Sequence, residues 1–281
     1  MNITHDIKNI IELSCAQFNN TKSHLKAFET AALNDLESWK QLSSLSIKNC
    51  EKLTLSTTIK DRLIFLKKSL PNWLKFPFKK IIIVDWDSSE NIKEFIDEVQ
   101  DGRIVYVKVE NEPEYRHAAA RNFKMRMTDD EDIVLSIDCD ILLTWKFLNN
   151  IIIRNDVIYT LNPEFTADGT AGTSIFSKKI YFDVGGCDER MKYGWGREDI
   201  DLFERISKKH NHIFLAAHQL VHQKHGDDLR VKFTKEKNKW ISNAKNLNSV
   251  AFESSDTILN EPFINPYTIY YPNGEIKSFN S

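Results

Sequence analysis

Several features that define specialised protein classes are scarce or missing in this chain. Its 281 residues include only four cysteines, scattered without metal-like pairing, so a reduced intracellular location is expected. No run of about 18 apolar residues occurs, which excludes a transmembrane helix. Lysine and arginine total 38 against 40 aspartates and glutamates, so the net charge of −2 gives no electrostatic case for nucleic acid as a partner.

The first 45 residues contain no glycine and no proline. Their apolar residues recur at helical spacing, which predicts a helical N-terminal extension over residues 1–45. The segment also lacks the basic region and apolar core of a signal peptide. We therefore expect a cytoplasmic protein. The sequence is also compatible with a peripheral position at the inner face of a membrane, and with a homo-oligomer formed through residues 1–45.

Residues 46–250 follow a different pattern, in which short apolar strands alternate with helices. This alternation predicts an α/β fold with a Rossmann-like, doubly wound, mostly parallel sheet. In the first half we predict strands at 52–58, 81–85, 104–109 and 133–138, and helices at 63–70, 91–99 and 115–127, the first of them ended by Pro71. In the second half we predict strands at 157–161, 173–176 and 213–217 and helices from Glu198 to Lys209 and at 231–248. The proline-containing residues 251–281 are expected to form an extended tail on the surface.

The most informative segment runs from Gly194 to Leu202, with the sequence Gly-Trp-Gly-Arg-Glu-Asp-Ile-Asp-Leu. Trp195 offers a flat apolar face on which a sugar ring can stack. Glu198 and Asp199 stand at the start of a predicted helix, where a carboxylate suits a general base that acts on a sugar hydroxyl. An acidic helix start on a solvated surface is the alternative, and the preceding Gly-Trp-Gly favours the site.

Paired carboxylates and late histidines predict a metal site. Asp138 and Asp140 follow a buried strand, two residues apart, so both side chains can face a divalent cation. Five of the eight histidines fall between positions 210 and 225, and His222 and His225 could complete the site as nitrogen ligands. A polar loop with locally hydrogen-bonded histidines is the alternative for each histidine taken alone.

Other polar residues suit a nucleotide. Asp85 and Asp87 end the second predicted strand, where a carboxylate can accept the N–H of uracil, and Arg62 or the hydroxyls of Thr57 and Thr58 could reach base or phosphate. Thr58 could instead cap the following helix. His117 and Arg121 share one stretch of helix and could also meet a nucleotide, although a solvated helix face is an equal alternative.

Three segments together resemble a known family. They are Gly172–Lys178, Val184–Glu189 and Gly194–Leu202, and they follow in order and near-constant spacing the C-terminal pattern of the inverting β-1,4-galactosyltransferase and chondroitin-polymerase-like group. The resemblance covers roughly residues 50–230 and implies a GT-A glycosyltransferase fold. It is specific in the second half of that range and generic in the first.

The resemblance implies a role for each matching residue. Asp138 and Asp140 match the Asp-x-Asp motif, with Asp140 the likelier direct ligand of Mn²⁺ or Mg²⁺. His225 matches the late metal-binding histidine, and His222 stands where a second metal contact occurs. Further implied roles are donor binding by Asp85, Asp87, Asp138 and Gly172 and acceptor binding by Trp195, Glu198, Asp199 and Gly186. Catalysis is implied for Asp199 as the base, with Glu198 beside it.

The resemblance thus implies transfer of a sugar from a UDP-sugar to a glycan or lipid-linked saccharide, in bacterial surface polysaccharide synthesis. The transferred sugar is galactose, GalNAc or glucose, because the small Gly169 could leave room for an N-acetyl group. Alternatives are a sugar nucleotidyltransferase, a metallohydrolase using the histidines, and a non-catalytic carbohydrate-binding protein. The glycine-free segment 57–62 counts against the nucleotidyltransferase.

Overall fold

A computed structural model describes residues 48–149, 151, 153–161, 170–192, 194–215, 219–238 and 263–280. The predicted N-terminal helices, Gly169 and most of the predicted helix 231–248 lie outside these residues. Within the described part of the chain, no helix has the length and apolar character needed to cross a membrane.

The centre of the fold is a sheet of four adjacent parallel strands, in the order β3-β2-β1-β4. They are β1 (Leu53–Ile59), β2 (Lys80–Trp86), β3 (Ile104–Val109) and β4 (Ile133–Ser136), and the helices α1 (Leu63–Trp73), α2 (Ile92–Val99) and α3 (His117–Arg126) connect them. Almost every residue of these strands is buried, as expected for continuous apolar strands that are covered on both faces.

Helices cover both faces of this sheet. Leu66 and Leu70 of α1 pack with Leu55 of β1 in one apolar core. On the opposite face, Phe123 of α3 packs with Val84 of β2 in a second core. The predicted α/β, doubly wound arrangement is therefore confirmed.

The second half of the chain extends the sheet with strands of both directions. Its elements are β5 (Ile141–Leu143), α4 (Trp145–Asn149), β6 (Val157–Leu161), β7 (Ser174–Ser177), α5 (Lys178–Asp183), α6 (Glu198–Lys209), β8 (Asn211–Leu215), β9 (Leu220–His222) and α7 (Asp227–Val231). Strand β7 runs antiparallel to β4 and β6, and β6 runs parallel to β8. Strands β5 and β9 form a separate two-stranded antiparallel sheet.

The end of the chain differs from the prediction of an extended tail. Residues 267–279 form a hairpin of β10 (Tyr267–Tyr270) and β11 (Ile276–Phe279), and β10 pairs antiparallel with the edge strand β3. The full sheet has nine strands in the order β11-β10-β3-β2-β1-β4-β7-β6-β8. The pairing satisfies the backbone groups that β3 would otherwise expose, which explains why the segment does not merely lie on the surface.

The structure differs from the predicted helices and strands at three further places. Helix α1 continues through Pro71 to Trp73, because the buried Trp73 anchors the last turn by donating from Nε1 to the carbonyl of Ile141 at 2.9 Å. Strand β9, which contains His222, was not among the predicted strands. In the predicted helix 231–248, the described residues 232–238 form turns and coil, with the carbonyl of Val231 bonded to Thr234.

The strand order places a ligand site. Connections lead from β1 outward to β2 and β3, and the chain then returns to β4 on the other side of β1. In open α/β sheets, ligands bind beyond the carboxyl ends of the strands at such a reversal point. We therefore look for the site where β1 and β4 end.

Candidate active site at the ends of β1 and β4

A cavity of about 480 Å³ lies at this reversal point, a volume typical of small-molecule sites. Residues that follow β1 and β4 line it, together with the start of α6 and the segment from β9 to α7. The predicted site residues in its lining are Arg62, His117, Arg121, Asp138, Asp140, Gly172, Trp195, Glu198, Asp199, His222 and His225. Most of the predicted constellation therefore meets in one cavity.

One side of the cavity holds a group of potential metal ligands. Asp140, His222 and His225 each offer one ligand atom, and these atoms lie within 4.8 Å of one another. Nε2 of His225 is 2.9 Å from Oδ2 of Asp140, and Nε2 of His222 is 3.8 Å from the same oxygen. The register of β5 against β9 explains the proximity, because Ile141, the neighbour of Asp140, pairs directly with His222.

The surroundings of Asp140 suit a bound cation. Its carboxyl is buried, and Oδ1 receives no hydrogen bond from the described residues. Burial would raise the pKa of Asp140, but the two facing imidazoles and the Arg62 guanidinium, 3.1 Å away, hold that pKa well below its usual range. An ionised carboxylate with one unsatisfied buried oxygen beside two imidazoles fits a divalent metal ion, since such an oxygen otherwise costs free energy.

Asp138 does not join this group of ligands. Its side chain is 38% exposed, and its nearest charged neighbour is Arg121, with 3.9 Å between Nη2 and Oδ1. A Cβ atom at Gly172 would lie 2.6 Å from Nη2 of Arg121 and 3.2 Å from Oδ2 of Asp138, so a side chain there would displace the end of the Arg121 side chain. The predicted metal role of Asp138 finds no support in this geometry, and the residue instead lines the cavity beside Gly172.

The first turn of α6 forms a second part of the cavity lining. Glu198 is buried, and its Oε1 lies 3.3 Å from Nε of Arg121 and 4.0 Å from Nδ1 of His117. Burial, with Arg121 nearby, lowers the pKa of His117 to about 3, so this imidazole is neutral at physiological pH. Neither His117 nor Arg121 lies on a solvated helix face, so this alternative from the sequence analysis does not apply.

Asp199 is the carboxyl group that is suited to take a proton. It is half-buried, whereas its neighbour Glu198 is held by Arg121. Burial, followed by the neighbouring charge of Glu198, raises the pKa of Asp199 to about 6. A carboxylate with a pKa near the working pH is a more effective general base than an ordinary aspartate.

The turn before α6 brings an aromatic ring to the same side. Gly196 has φ 106°, a conformation that favours glycine, and Trp195 before it is half-buried in the cavity lining. The guanidinium of Arg230, from α7, lies 5.0 Å from the centre of the Trp195 ring, and its Nη1 donates to Asp227 at 3.0 Å. This cation–π contact fixes the tryptophan beside the acid pair.

The two aspartates at the end of β2 do not reach the cavity. Asp85 is fully buried and accepts hydrogen bonds from the backbone of Ser88 at 2.8 Å, Tyr106 at 2.6 Å and Lys108 at 3.0 Å. Asp87 accepts from the backbone N–H of Glu112 at 3.0 Å and is not among the lining residues. This geometry gives no support to their predicted nucleoside contacts, because residues from the neighbouring strand and loop donate hydrogen bonds to these carboxylates.

Thr57 and Gly186 also lie outside the cavity. Thr57 is fully buried, and since strand residues alternate in direction, its neighbour Thr58 faces the cavity instead. Thr58 Oγ1 is 2.5 Å from the hydroxyl of Tyr115, so it does not cap α1. Gly186, with φ 73°, accepts a hydrogen bond at its carbonyl from Arg205 at 2.7 Å and has a structural role.

Sequence reasoning missed several lining residues, among them Lys60, Tyr115 and Phe233. Nζ of Lys60 donates to the carbonyls of Trp86, Asp87 and Glu112 at 2.8–2.9 Å, and burial lowers its pKa. The spacing of Lys60 and Arg62 directly after β1 was a signal for a cationic pair. The backbone of Tyr115 donates to the carbonyl of Phe233, and because the two residues are far apart in the sequence, no local pattern predicts this contact.

Comparisons with known proteins were made for the whole chain. Residues 157–226 match the model of a family described as the N-terminal domain of galactosyltransferase. No curated protein matches the sequence. The matched segment runs from β6 to the residue after His225, and so includes the Gly-Trp-Gly turn, the acid pair and both histidines. It confirms the resemblance drawn from the sequence and supports a glycosyltransferase.

Solved glycosyltransferase structures match the chain at low sequence identity and with TM-scores below 0.5. GalNAc-T7 with UDP, GalNAc and Mn²⁺ is 11% identical with a TM-score of 0.49, over 61% of this chain and 43% of that one. The catalytic domain of Drosophila β1,4-galactosyltransferase 7 with xylobiose is 14% identical with a TM-score of 0.49, over 77% and 87%. TarS of S. aureus is 13% identical with a TM-score of 0.44, over 59% and 58%. The chain thus spans less than half of GalNAc-T7.

Proposed function

We propose that this protein is a metal-dependent, inverting glycosyltransferase that moves a hexose or N-acetylhexosamine from a UDP-sugar to a hydroxyl of a glycan acceptor. One observation carries the proposal. A single cavity joins the metal-ligand group of Asp140, His222 and His225 to a half-buried aspartate, Asp199, whose pKa is raised to about 6. A cation for a diphosphate and a base for a hydroxyl are the two requirements of this reaction.

The donor side is the side of Asp140. Its ligands combine two imidazole nitrogens with a carboxylate oxygen, a mixture that suits Mn²⁺ better than Mg²⁺, which prefers oxygen ligands. When bound, such a cation supplies positive charge that stabilises the diphosphate as it leaves. Arg62 and Lys60 add fixed positive charge on the same side, beyond the end of β1.

The acceptor side is the first turn of α6. Trp195 offers its ring to a sugar, and Glu198, held by Arg121, can accept a hydrogen bond from an acceptor hydroxyl. Asp199 takes the proton of the attacking hydroxyl, which makes the oxygen nucleophilic as it approaches the anomeric carbon. Attack on the face opposite the leaving diphosphate inverts the configuration of that carbon.

The finer assignments rest on the sequence alone. We propose galactose, GalNAc or glucose as the transferred sugar and a bacterial surface polysaccharide as the product. The acceptor is a glycan or a lipid-linked saccharide. Gly169, on which the case for an N-acetyl group depends, lies outside the described residues.

A screen of UDP-sugars tests the proposal. Each UDP-sugar is incubated with the protein and Mn²⁺, with and without a mixture of saccharide acceptors, and UDP release and glycoside formation are measured. Acceptor-dependent UDP release with a new glycoside supports the proposal. UDP release that no acceptor increases would favour a metallohydrolase, and pyrophosphate release from UTP with a sugar 1-phosphate would favour a nucleotidyltransferase.

A further inference from the structure

Arg197 differs from every other arginine of the chain. Each of the others lies within 4.0 Å of a carboxylate oxygen, whereas none of the described carboxylates comes that close to Arg197. The paired arginines are Arg62, Arg103, Arg116, Arg121, Arg126, Arg154, Arg190, Arg205 and Arg230. Arg197 is exposed and lines the cavity directly before the acid pair Glu198 and Asp199.

The backbone conformation at Arg197 is a second, independent observation. Its φ of 81° lies in the left-handed region, where a side chain is strained and glycine is favoured. Arg197 is the residue before α6, and its side chain makes no capping hydrogen bond. The backbone conformation at this position therefore favours glycine over arginine.

Other cations around the cavity are already engaged. Arg62 pairs with Asp140, Arg121 pairs with Glu198, and Lys60 donates to three backbone carbonyls. Arg230 pairs with Asp227 and lies over Trp195. Among the arginines that line the cavity, Arg197 is therefore the one with which no described carboxylate pairs.

We propose that Arg197 recognises an anionic group, a carboxylate or a phosphate, on the acceptor saccharide. The inference rests on the proposed function and names the acceptor class for the same site. Arg197 adjoins Glu198 and Asp199 on the acceptor side, whereas the diphosphate of the donor has the metal ligands and Arg62 on the other side. A guanidinium is well suited to bind either anion through paired N–H donors.

The test compares acceptors that differ in one group only. Matched aryl glycosides that carry a CH₂OH group, a carboxylate or a phosphate at C6 are assayed with Mn²⁺ and the best UDP-sugar donor. The wild-type protein is expected to show a kcat/KM about tenfold or more higher for one anionic acceptor than for the neutral one, the gain typical of a charged hydrogen bond. The carboxylate and phosphate arms distinguish a uronic acid from a sugar phosphate.

Variants of Arg197 then separate recognition from structure. Arg197→Gln and Arg197→Gly should abolish the preference, mainly by raising KM for the anionic acceptor, and Arg197→Lys should restore part of it. Arg154→Gln removes an exposed arginine that pairs with Asp156 away from the cavity, and it should keep the preference. Because glycine relieves the left-handed backbone, the Tm of Arg197→Gly should equal or exceed that of the wild type.

Three results would overturn the inference. The wild type could use the neutral acceptor as well as the anionic ones, Arg197→Gln could lower kcat/KM for all acceptors equally, or Arg197→Gly could unfold at a clearly lower temperature. In each of these cases transfer itself still occurs, so the proposed function stands. Absence of transfer from every UDP-sugar to every acceptor would instead contradict the proposed function, and with it this inference.

Discussion

The two sides of the cavity are built in different ways. The metal side joins Asp140 to Arg62 and His225, which lie 78 and 85 residues away in the chain, through strand ends and the pairing of β5 with β9. The acceptor side is one local turn, residues 195–199, followed by a helix. Charges on the metal side are paired, whereas the acceptor side holds an aspartate of raised pKa and a strained arginine, Arg197, with which none of the described carboxylates pairs. We infer that the sheet fixes donor binding, while the turn carries chemistry and specificity.

The largest effect is expected from Asp199→Asn. The amide cannot take a proton, so kcat should fall by about 100-fold to 10,000-fold, the contribution of a general base. Because the metal ligands are untouched, calorimetric titration with UDP and Mn²⁺ should give an unchanged affinity. Asp201→Asn serves as the control, since Asp201 lies on the same helix and pairs with Arg205 outside the cavity. Near wild-type turnover of Asp199→Asn would remove the proposed base.

A smaller effect, on binding and not on proton transfer, is expected from His225→Ala. Loss of a ligand should weaken Mn²⁺-dependent UDP binding by about 100-fold or more, at or beyond the upper end of the range seen for residues that only support ligands. The rise in Tm that Mn²⁺ and UDP give the wild type should disappear, because only a ligand that binds the folded state stabilises it.

His210→Ala is the matched control for this variant. His210 pairs with Asp183 and is not among the residues that line the cavity, so its loss should leave the Mn²⁺ response intact. If His225→Ala and His210→Ala responded alike to Mn²⁺, the metal site would have to lie elsewhere.

Replacement of Trp195 should change the KM for the acceptor and leave that for the donor unchanged. Replacement by alanine removes the stacking face and the contact with Arg230, and we expect KM for the acceptor to rise about tenfold, in line with the strength of aromatic contacts. Phenylalanine should restore most of the affinity. Steady-state kinetics at saturating donor measure this, and an equal rise in the donor KM would erase the distinction between the two sides.

The smallest effect concerns stability and pH. An unfolded aspartate ionises near pH 4, whereas the pKa of Asp199 in the fold is about 6, so ionised Asp199 destabilises the fold above pH 6. Asp199→Asn should therefore raise the free energy of unfolding at pH 8 by about 1 kcal/mol, after allowance for partial solvent screening. This gain should vanish as the pH falls below 4, where the carboxyl is protonated in both states.

Asp183→Asn should change stability in the opposite direction. Hydrogen bonds from Lys209 and His210 lower the pKa of Asp183, so its charge stabilises the fold above pH 4 and ceases to do so as the pH falls. Thermal unfolding at pH 8 and pH 3.5 compares the two variants. An equal Tm shift of Asp199→Asn at both pH values would contradict the raised pKa.

Local patterns made much of the fold and of the acceptor side predictable. The run Ile81–Val84 is continuously apolar because both faces of its strand are covered, and the helix that follows Gly-Trp-Gly begins at Glu198, as its sequence predicts. The hairpin at 267–279 was not predictable in the same way, since its partner β3 lies far away in sequence.

Errors in the site have the same origin. Asp85 has the sequence position of a ligand contact, but Tyr106 and Lys108 reach it from the adjacent strand, which no local pattern reveals. Thr57 was predicted to reach the ligand, but its neighbour Thr58 lines the cavity. Neighbouring strand residues face opposite sides of a sheet, so an error of one residue turns a side chain away from the site. His222 and His225 were predicted from the clustering of histidines at positions 210–225 and from the family pattern, and the structure places both beside Asp140.

The stereochemistry of the product tests the central claim most directly. The protein is incubated with Mn²⁺, the preferred UDP-α-sugar and its acceptor, and the anomeric proton of the new glycoside is observed by NMR. Direct attack by a hydroxyl that Asp199 deprotonates predicts a β-linked product. An α-linked product would contradict the single displacement and the division of the cavity into a metal side and a base side.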